Sequence, residues 1–557
     1  MRTLGRRVWP HLAAVAFFYA LVAVYFQPSV FEGKSVRQPD IEQSIGMSQD
    51  MRAAAEESPD DVQAWTGALF SGMPNYVIYT HGFAANYTRW IDGWIKALDR
   101  LAGSAVLTGL LSFYILMVSF GARPLLAAAA AVAFALASYN LIILEAGHVN
   151  KAYVIALMPL TVAGMLRIFQ RKRRSGFVLF LLGVTLSVSN YHPQITYYLV
   201  LLCAVLFAAH AAAEIRRGRW IPLGRSTALL VLGGVLGILP SVGTLYSTWE
   251  MGRTSLRGPS ELTITPQGAR QAPSDGLDRD YAFMWSYGVG ELLTVLIPDA
   301  YGGASGGVLG SGSALHRQLS NRGARIGSDV QTYTYWGDKP FTSGPVYFGA
   351  VVCFLFVFGM AYLRERMKWA LLAGAAFLTL LALGRNFMGF NALMFEWLPL
   401  YDKFRTPEMA LVIPGLVAPL VGFWGLKRFF AASASGPARE QAAEQKRFRR
   451  SLYIALGVTG GLSALVWLVP DLLLDFRSPG DARYDLPGWY YAALVADRAD
   501  LARADALRSL LFILAAAGTL FAYARWKDVP RAVSYATLAI GVLVLVDLWS
   551  VGRRYLD

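Results

Sequence analysis

Several small groups of residues in this chain combine types that could move protons or hold anions. Asp40 follows Pro39, whose ring restricts the local backbone, and a carboxylate held there could act as general base toward an acceptor hydroxyl. The plainer reading is a solvated loop aspartate. Glu145 and His148 are three apart, with Lys151 three further on. On one continuous helix they would share a face, His148 moving a proton and Lys151 binding phosphate. The alternative is a helix-end cluster that satisfies orphan carbonyls and reaches toward the interface. His192 and Gln194 flank Pro193 in a short turn, where they could line a site or merely serve the turn. Lys403 and Arg405 precede Pro407 at the start of an apolar run, positioned to bind an anion or an anionic lipid headgroup. Asp338, within Trp336-Gly-Asp-Lys339, and Arg385, at the end of another run, complete the substrate-binding candidates.

The elements that must position these residues are set by composition. Of the 557 residues 55% are hydrophobic and 16% charged, which excludes an ordinary soluble domain. The expected fold is an all-α polytopic membrane protein, since a bilayer core about 30 Å thick accepts only segments that satisfy their own backbone groups. Trp9–Phe26 follows basic residues without a small-residue cleavage site and reads as a signal anchor. Further spans are expected at 104–120, 124–143, 153–169, 176–192, 195–213, 226–246, 346–363, 369–384, 408–425, 452–470, 506–524 and 532–549, which makes about thirteen transmembrane helices.

A net charge of +14 could suggest nucleic acid, but the basic residues come in bursts such as Arg171-Lys-Arg-Arg174 and Arg216-Arg-Gly-Arg219, each just after an apolar run. They read as topology signals instead, and no nucleic-acid partner is expected. The bursts near 123, 171–174, 216–225, 364–368, 427–450 and 525–531 place the N-terminus in the cytoplasm and the C-terminus outside. Segments 27–103 and 247–344 then form two large extracytoplasmic loops. Within them, Tyr87–Leu101 has the pattern of an interfacial helix, Gly288–Leu296 that of a short re-entrant helix, and 298–307 that of a flexible glycine-rich loop. The chain divides into a catalytic module at 1–425, a cytoplasmic linker at 426–451 and C-terminal helices at 452–557. Cys203 and Cys353 lie in apolar runs, and no cysteine or histidine spacing forms a metal motif. All the candidate clusters fall on the extracytoplasmic side, where cations such as Lys151, Arg385, Lys403 and Arg405 run against the positive-inside bias. One concave outer site is the expected geometry.

At these residues the sequence resembles the YfhO-like family of bacterial membrane proteins, especially its Bacteroidota-type members, within the GT-C superfamily of glycosyltransferases. The resemblance runs through Gln38-Pro-Asp40, Trp65-Thr-Gly-Ala-Leu-Phe-Ser-Gly-Met-Pro74, Ile143-Leu-Glu-Ala-Gly-His148, His192-Pro-Gln-Ile-Thr-Tyr-Tyr198, Tyr335-Trp-Gly-Asp-Lys-Pro-Phe-Thr-Ser-Gly-Pro345 and Phe404-Arg-Thr-Pro407. It implies a GT-C-like transferase in the bacterial cytoplasmic membrane, with Asp40 as the acidic residue of the first outer loop. The implied donor is a sugar on polyprenyl phosphate, and the acceptor an extracytoplasmic glycan, glycolipid or protein. Enzymes of this superfamily differ in needing Mg²⁺ or Mn²⁺, which leaves the metal open; Glu32 and Glu42 are the local oxygen ligands near Asp40. Relatives often continue into an outer C-terminal domain, whereas this chain ends at Asp557. A flippase for lipid-linked sugar and a non-catalytic membrane scaffold are the rival readings, the former expected to show broken helices and internal repeats.

Overall fold

The computed structural model describes residues 2–58, 64–75, 90, 91, 93, 103–259, 264, 268, 270, 276–432 and 438–556. The interfacial helix expected at Tyr87–Leu101 falls almost wholly outside them. The described residues are mostly helical, and the strands among them are two short antiparallel pairs, Trp65–Thr66 with Met73–Pro74 and Gly307–Gly310 with Asp329–Thr332. Helix is found at each of the thirteen apolar segments. Among the described residues eight helices are long and apolar enough to cross a membrane, or ten if each bent pair is one span. Ser104–Ser119 and Ala350–Tyr362 are apolar but shorter.

Small residues let the helices pack closely. A Cβ on Gly164 would lie 2.2 Å from the Phe180 amide nitrogen, and one on Gly183 would lie 2.5 Å from that of Thr161. Helices Val149–Phe169 and Arg173–Ser189 can therefore cross at this distance only with glycine at both positions. The alanine run does similar work, with Ala127, Ala130 and Ala131 fully buried in helix Pro124–Ala135 against the last helix, Ala532–Gly552.

Two helices break. Pro124–Ala135 and Ser138–Glu145 meet at 48°, and the Asn140 side chain donates to the Phe134 carbonyl left over at the bend, at 2.9 Å. Ser138 is in turn held by residues 345–347: its hydroxyl donates to the Pro345 carbonyl at 2.6 Å and accepts from the Tyr347 amide at 2.9 Å. Met367–Ala382 turns through 114° into Gly384–Trp397.

Other boundaries differ from the sequence expectation. The span expected at 506–524 is the end of a 38-residue helix, Gly488–Arg525, which at 1.5 Å per residue outruns a bilayer core and carries its first half into the loop region. There Asp497 caps helix Ala314–Asn321 by accepting from the Ala314 and Leu315 amides at 2.6 and 2.8 Å. The stretch 426–451 is largely helical, comprising the end of Val412–Ala432 and most of Ala438–Ala455. The glycine-rich loop after Pro298 is anchored, since Asp299 accepts from Arg554 at 2.9 Å and from the Tyr555 hydroxyl at 2.8 Å.

The basic loops gather at one end of the bundle. Arg171 and Arg217 both face Glu214, at 3.7 and 3.6 Å, and Arg428 meets Glu365 at 2.5 Å. The Lys427 ammonium caps the Phe120 carbonyl, and the Tyr362 hydroxyl donates to Glu444.

Candidate functional site

At the other end lies a cavity of about 1330 Å³. Its walls come from the first loop, the turn between Ser138–Glu145 and Val149–Phe169, the 191–194 turn, the end of the helix finishing at Arg253, and loops 339–346 and 400–409. Asp40, Glu145, His148, Lys151, His192, Gln194, Lys403 and Arg405 all line it.

Asp40 is placed by a fixed docking. Pro39 opens helix Pro39–Met47, where its missing N–H is not needed, and the Gln38 side chain donates to the Leu144 carbonyl at 2.6 Å. Opposite, Gly147 adopts φ +94°, and a Cβ there would sit 3.1 Å from the Ile41 nitrogen and 3.2 Å from the Asp40 Cβ. Glycine thus satisfies two demands at once: a backbone shape that side chains disfavour, and room for Asp40. This turn also means that Glu145, His148 and Lys151 do not share one continuous helix, because Ser138–Glu145 ends and Val149–Phe169 begins across it. The cavity wall reunites them nonetheless.

The turn brings His148 Nδ1 to 3.2 Å from Asp40 Oδ2, with both side chains about half exposed to the cavity. Burial of its remaining surface, then the Lys151 charge, pushes the imidazole down to about 4 against the opposing pull of Asp40. A neutral His148 therefore meets Asp40 as a close polar neighbour rather than as a charged pair. His192 is also held neutral, pushed down to about 3 by burial and then by Lys151 and His148. Its Nδ1 accepts from the Ile195 amide at 3.3 Å, capping helix Pro193–Ile215, so the turn-serving role is real.

Cations line much of the rest. The Arg405 side chain donates to the Tyr281 hydroxyl at 2.7 Å, and its carbonyl accepts from Gln194 at 2.6 Å. Lys403 pairs with Asp402 at 2.7 Å. Two further arginines, Arg253 and Arg257, also line the cavity, and Arg257 Nε donates to the Lys403 carbonyl at 3.0 Å. Nothing in their sequence setting marks them out: they sit in a polar stretch after an apolar helix.

The floor holds a buried ion group that the sequence reading did not nominate. Lys339 Nζ lies 3.1 Å from Glu408 and 3.8 Å from Glu291, with almost no exposure of the lysine. Burial would lower this lysine's pKa, but the two carboxylates outweigh it and the net shift is upward, so the ammonium stays charged. Glu291 is itself fixed by the Tyr335 hydroxyl and the Gly288 amide, each at 2.8 Å. Asp338 and Arg385, by contrast, do not line the cavity. Asp338 is exposed next to its buried neighbour Lys339, and the Arg385 guanidinium is occupied by the Asp338 carbonyl.

The carboxylates near Asp40 do not fit a divalent-cation site. Glu32 pairs with Lys34 at 2.7 Å and Glu42 faces Arg37 at 3.9 Å. No group of three or more His, Cys, Asp or Glu among the described residues could hold a metal ion. Compared with known proteins, the chain matches no family model, no curated protein and no solved structure.

Proposed function

We propose that this protein is a multi-pass glycosyltransferase of the bacterial cytoplasmic membrane. It passes a sugar from a polyprenyl-phosphate donor to an acceptor outside the cell. The observation that carries the reading is the Asp40–His148 pair on the wall of a cavity also lined by Lys151, Arg405, Lys403, Arg253 and Arg257. A base beside clustered cations suits a reaction in which a hydroxyl attacks and a phosphate leaves. The gathering of basic loops at the far end favours a cytoplasmic N-terminus, thirteen crossings and an extracytoplasmic C-terminus.

His148 holds Asp40 Oδ2, leaving Oδ1 to take the acceptor's proton. The acceptor oxygen then bonds to the anomeric carbon as the carbon–oxygen bond to phosphate breaks, its electron pair going to the phosphate. Configuration inverts in this single displacement. The leaving phosphate has a low pKa and needs little protonation, so one carboxylate suffices where glycosidases use two. Arg405, with its planar fork, and Lys151 are the first-choice phosphate ligands. Glu145 is the reserve base on the same wall.

Asp40→Asn should lower transfer by about 10² to 10⁴ while leaving donor binding in place. A folded, donor-binding Asp40→Asn protein that transfers at the wild-type rate would rule out Asp40 as the base. The two broken helices favour a second reading, a flippase for lipid-linked sugar. In that case the same variant would lose translocation in reconstituted vesicles, and the wild type would make no glycosidic product.

A further inference from the structure

We infer that Trp285 and Phe341 form a carbohydrate platform in the cavity, which makes the acceptor a glycan rather than a peptide side chain; the word acceptor rests on the transferase reading. The two rings meet edge to face, 5.3 Å between centroids and 83° between planes, and both line the cavity. Phe341 is 59% exposed, an unfavourable state for a large apolar ring unless something covers it.

The exposure is not a product of a loose loop. Next to Phe341, the Thr342 amide donates to the Ser305 hydroxyl at 2.8 Å, and the Ser305 amide donates to the Thr342 carbonyl at 2.9 Å. Two residues before it, Lys339 is locked to Glu408 at 3.1 Å. Trp285 is equally fixed. Its neighbour Ser286 donates to the Phe283 carbonyl at 2.7 Å and accepts from the Arg385 amide at 2.9 Å. The amide of Tyr287 reaches the Ala382 carbonyl at 2.9 Å. Both rings are therefore presented on rigid backbone, which is how a preorganised ligand surface is built.

The neighbours decide what lies on that surface. A pyranose ring has apolar C–H faces and hydroxylated edges, so it needs an aromatic plane beside hydrogen-bonding groups. Thr342 and Ser343 supply those groups on the same cavity lining, with the nearly buried Lys339–Glu408 pair behind them. An isoprenoid chain offers those hydroxyls no hydrogen-bond partner, whereas the edge of a sugar does. The nearby Asp40 then finds its proton on a sugar hydroxyl.

The test is ligand binding to the full-length protein in lipid nanodiscs. The probes are cellobiose, mannobiose and di-N-acetylchitobiose, with farnesyl phosphate as the donor-like control. Phe341→Leu keeps the apolar volume but removes the aromatic face, and Phe341→Tyr keeps the face. At least one disaccharide should bind the wild type, weaken about tenfold in Phe341→Leu and Trp285→Leu, and stay near wild type in Phe341→Tyr. Farnesyl phosphate should bind all four proteins alike. The inference is overturned if no disaccharide binds the wild type, if Phe341→Leu binds the sugar unchanged, or if Phe341→Leu loses farnesyl phosphate instead. Because binding needs no turnover, disaccharide affinity reports on the platform whether or not transfer is seen, so failure of the transferase chemistry remains distinguishable from failure of the platform.

Discussion

Arg498→Ala is the sharpest test of how the loop region supports the cavity. The Arg498 side chain is fully buried. Its guanidinium meets both Asp481 oxygens at 2.8 Å and donates to the carbonyls of Phe476 at 3.0 Å, Tyr333 at 2.8 Å and Thr334 at 3.1 Å. Alanine takes the guanidinium from a carboxylate that is itself only 8% exposed, and from four carbonyls, that of Tyr335 at 3.3 Å being the fourth. Removing one partner of such a pair costs about 3–5 kcal/mol, and the Ser478 amide and Tyr491 hydroxyl that still donate to Asp481 at 2.9 and 3.1 Å place the loss at the lower end of that range. The carbonyls add less, because water can enter the vacated space. Burial pushes the Asp481 carboxyl up, but hydrogen bonds from Arg498 and the Ser478 amide outweigh it and hold the group below the usual carboxylate range. Its stabilising contribution is therefore present above the unfolded value of about 4 and lost as pH falls through the lower folded value. Unfolding measured in nanodiscs across pH should show a large loss for Arg498→Ala at neutral pH that shrinks as pH falls below about 4, because the wild type gives up the Asp481 contribution there and the variant has little of it left to lose. Proteolysis should strike the chain around 327–345, which Arg498 fastens. A loss below about 1 kcal/mol, with unchanged proteolysis, would refute the claim that this arginine holds the loop carrying Lys339.

Three other outcomes follow from the cavity. Arg405→Lys should weaken farnesyl phosphate binding about tenfold despite keeping the charge, because an ammonium cannot reproduce the planar fork; unchanged affinity removes Arg405 from the donor site. Gly147→Ala should reduce transfer by about tenfold or more in a protein that still folds, since its Cβ would displace Asp40 from His148; full activity would show that this docking is dispensable. His148 and His192 are held near 4 and 3, whereas an unfolded histidine titrates near about 6.5, so the unfolded state binds more protons between these values. Thermal stability should therefore be level at neutral pH and fall as pH drops from about 6.5 toward 4; a midpoint that rises on acidification contradicts the assignment.

The helices were legible because the bilayer imposes one strong rule, an apolar run for each crossing, and runs such as 153–169 and 195–213 reappear almost unchanged as Val149–Phe169 and Pro193–Ile215. Legibility ended where polar residues are buried against protein rather than exposed to water. Asp497, Arg498, Asp505 and Arg508 interrupt the hydropathy of one helix, so the sequence reading began that helix only after most of them. Each is satisfied by a distant partner. Asp497 meets the Ala314 amide, and Arg508 meets Asp547 at 2.9 Å.

The site divides along the same line. His148, Lys151 and Arg405 could be picked out because each stands beside an apolar run, where a charge needs a reason. Asp40, in a polar stretch about a dozen residues past the first run, stands out instead through Pro39 and the family resemblance. The Trp336-Gly-Asp-Lys339 segment shows the limit of that logic. Sequence reading found the right segment and nominated Asp338, yet the cavity receives Lys339. The chain bends through 337–340, so neighbouring side chains enter different surroundings and an error of one residue exchanges the buried side chain for the exposed one. The carboxylates of Glu291 and Glu408, far off in the sequence, select the lysine for the inside, because a buried ammonium needs them. The identity of the cavity-facing residue is thus a property of its partners, and a single sequence lists those partners without pairing them.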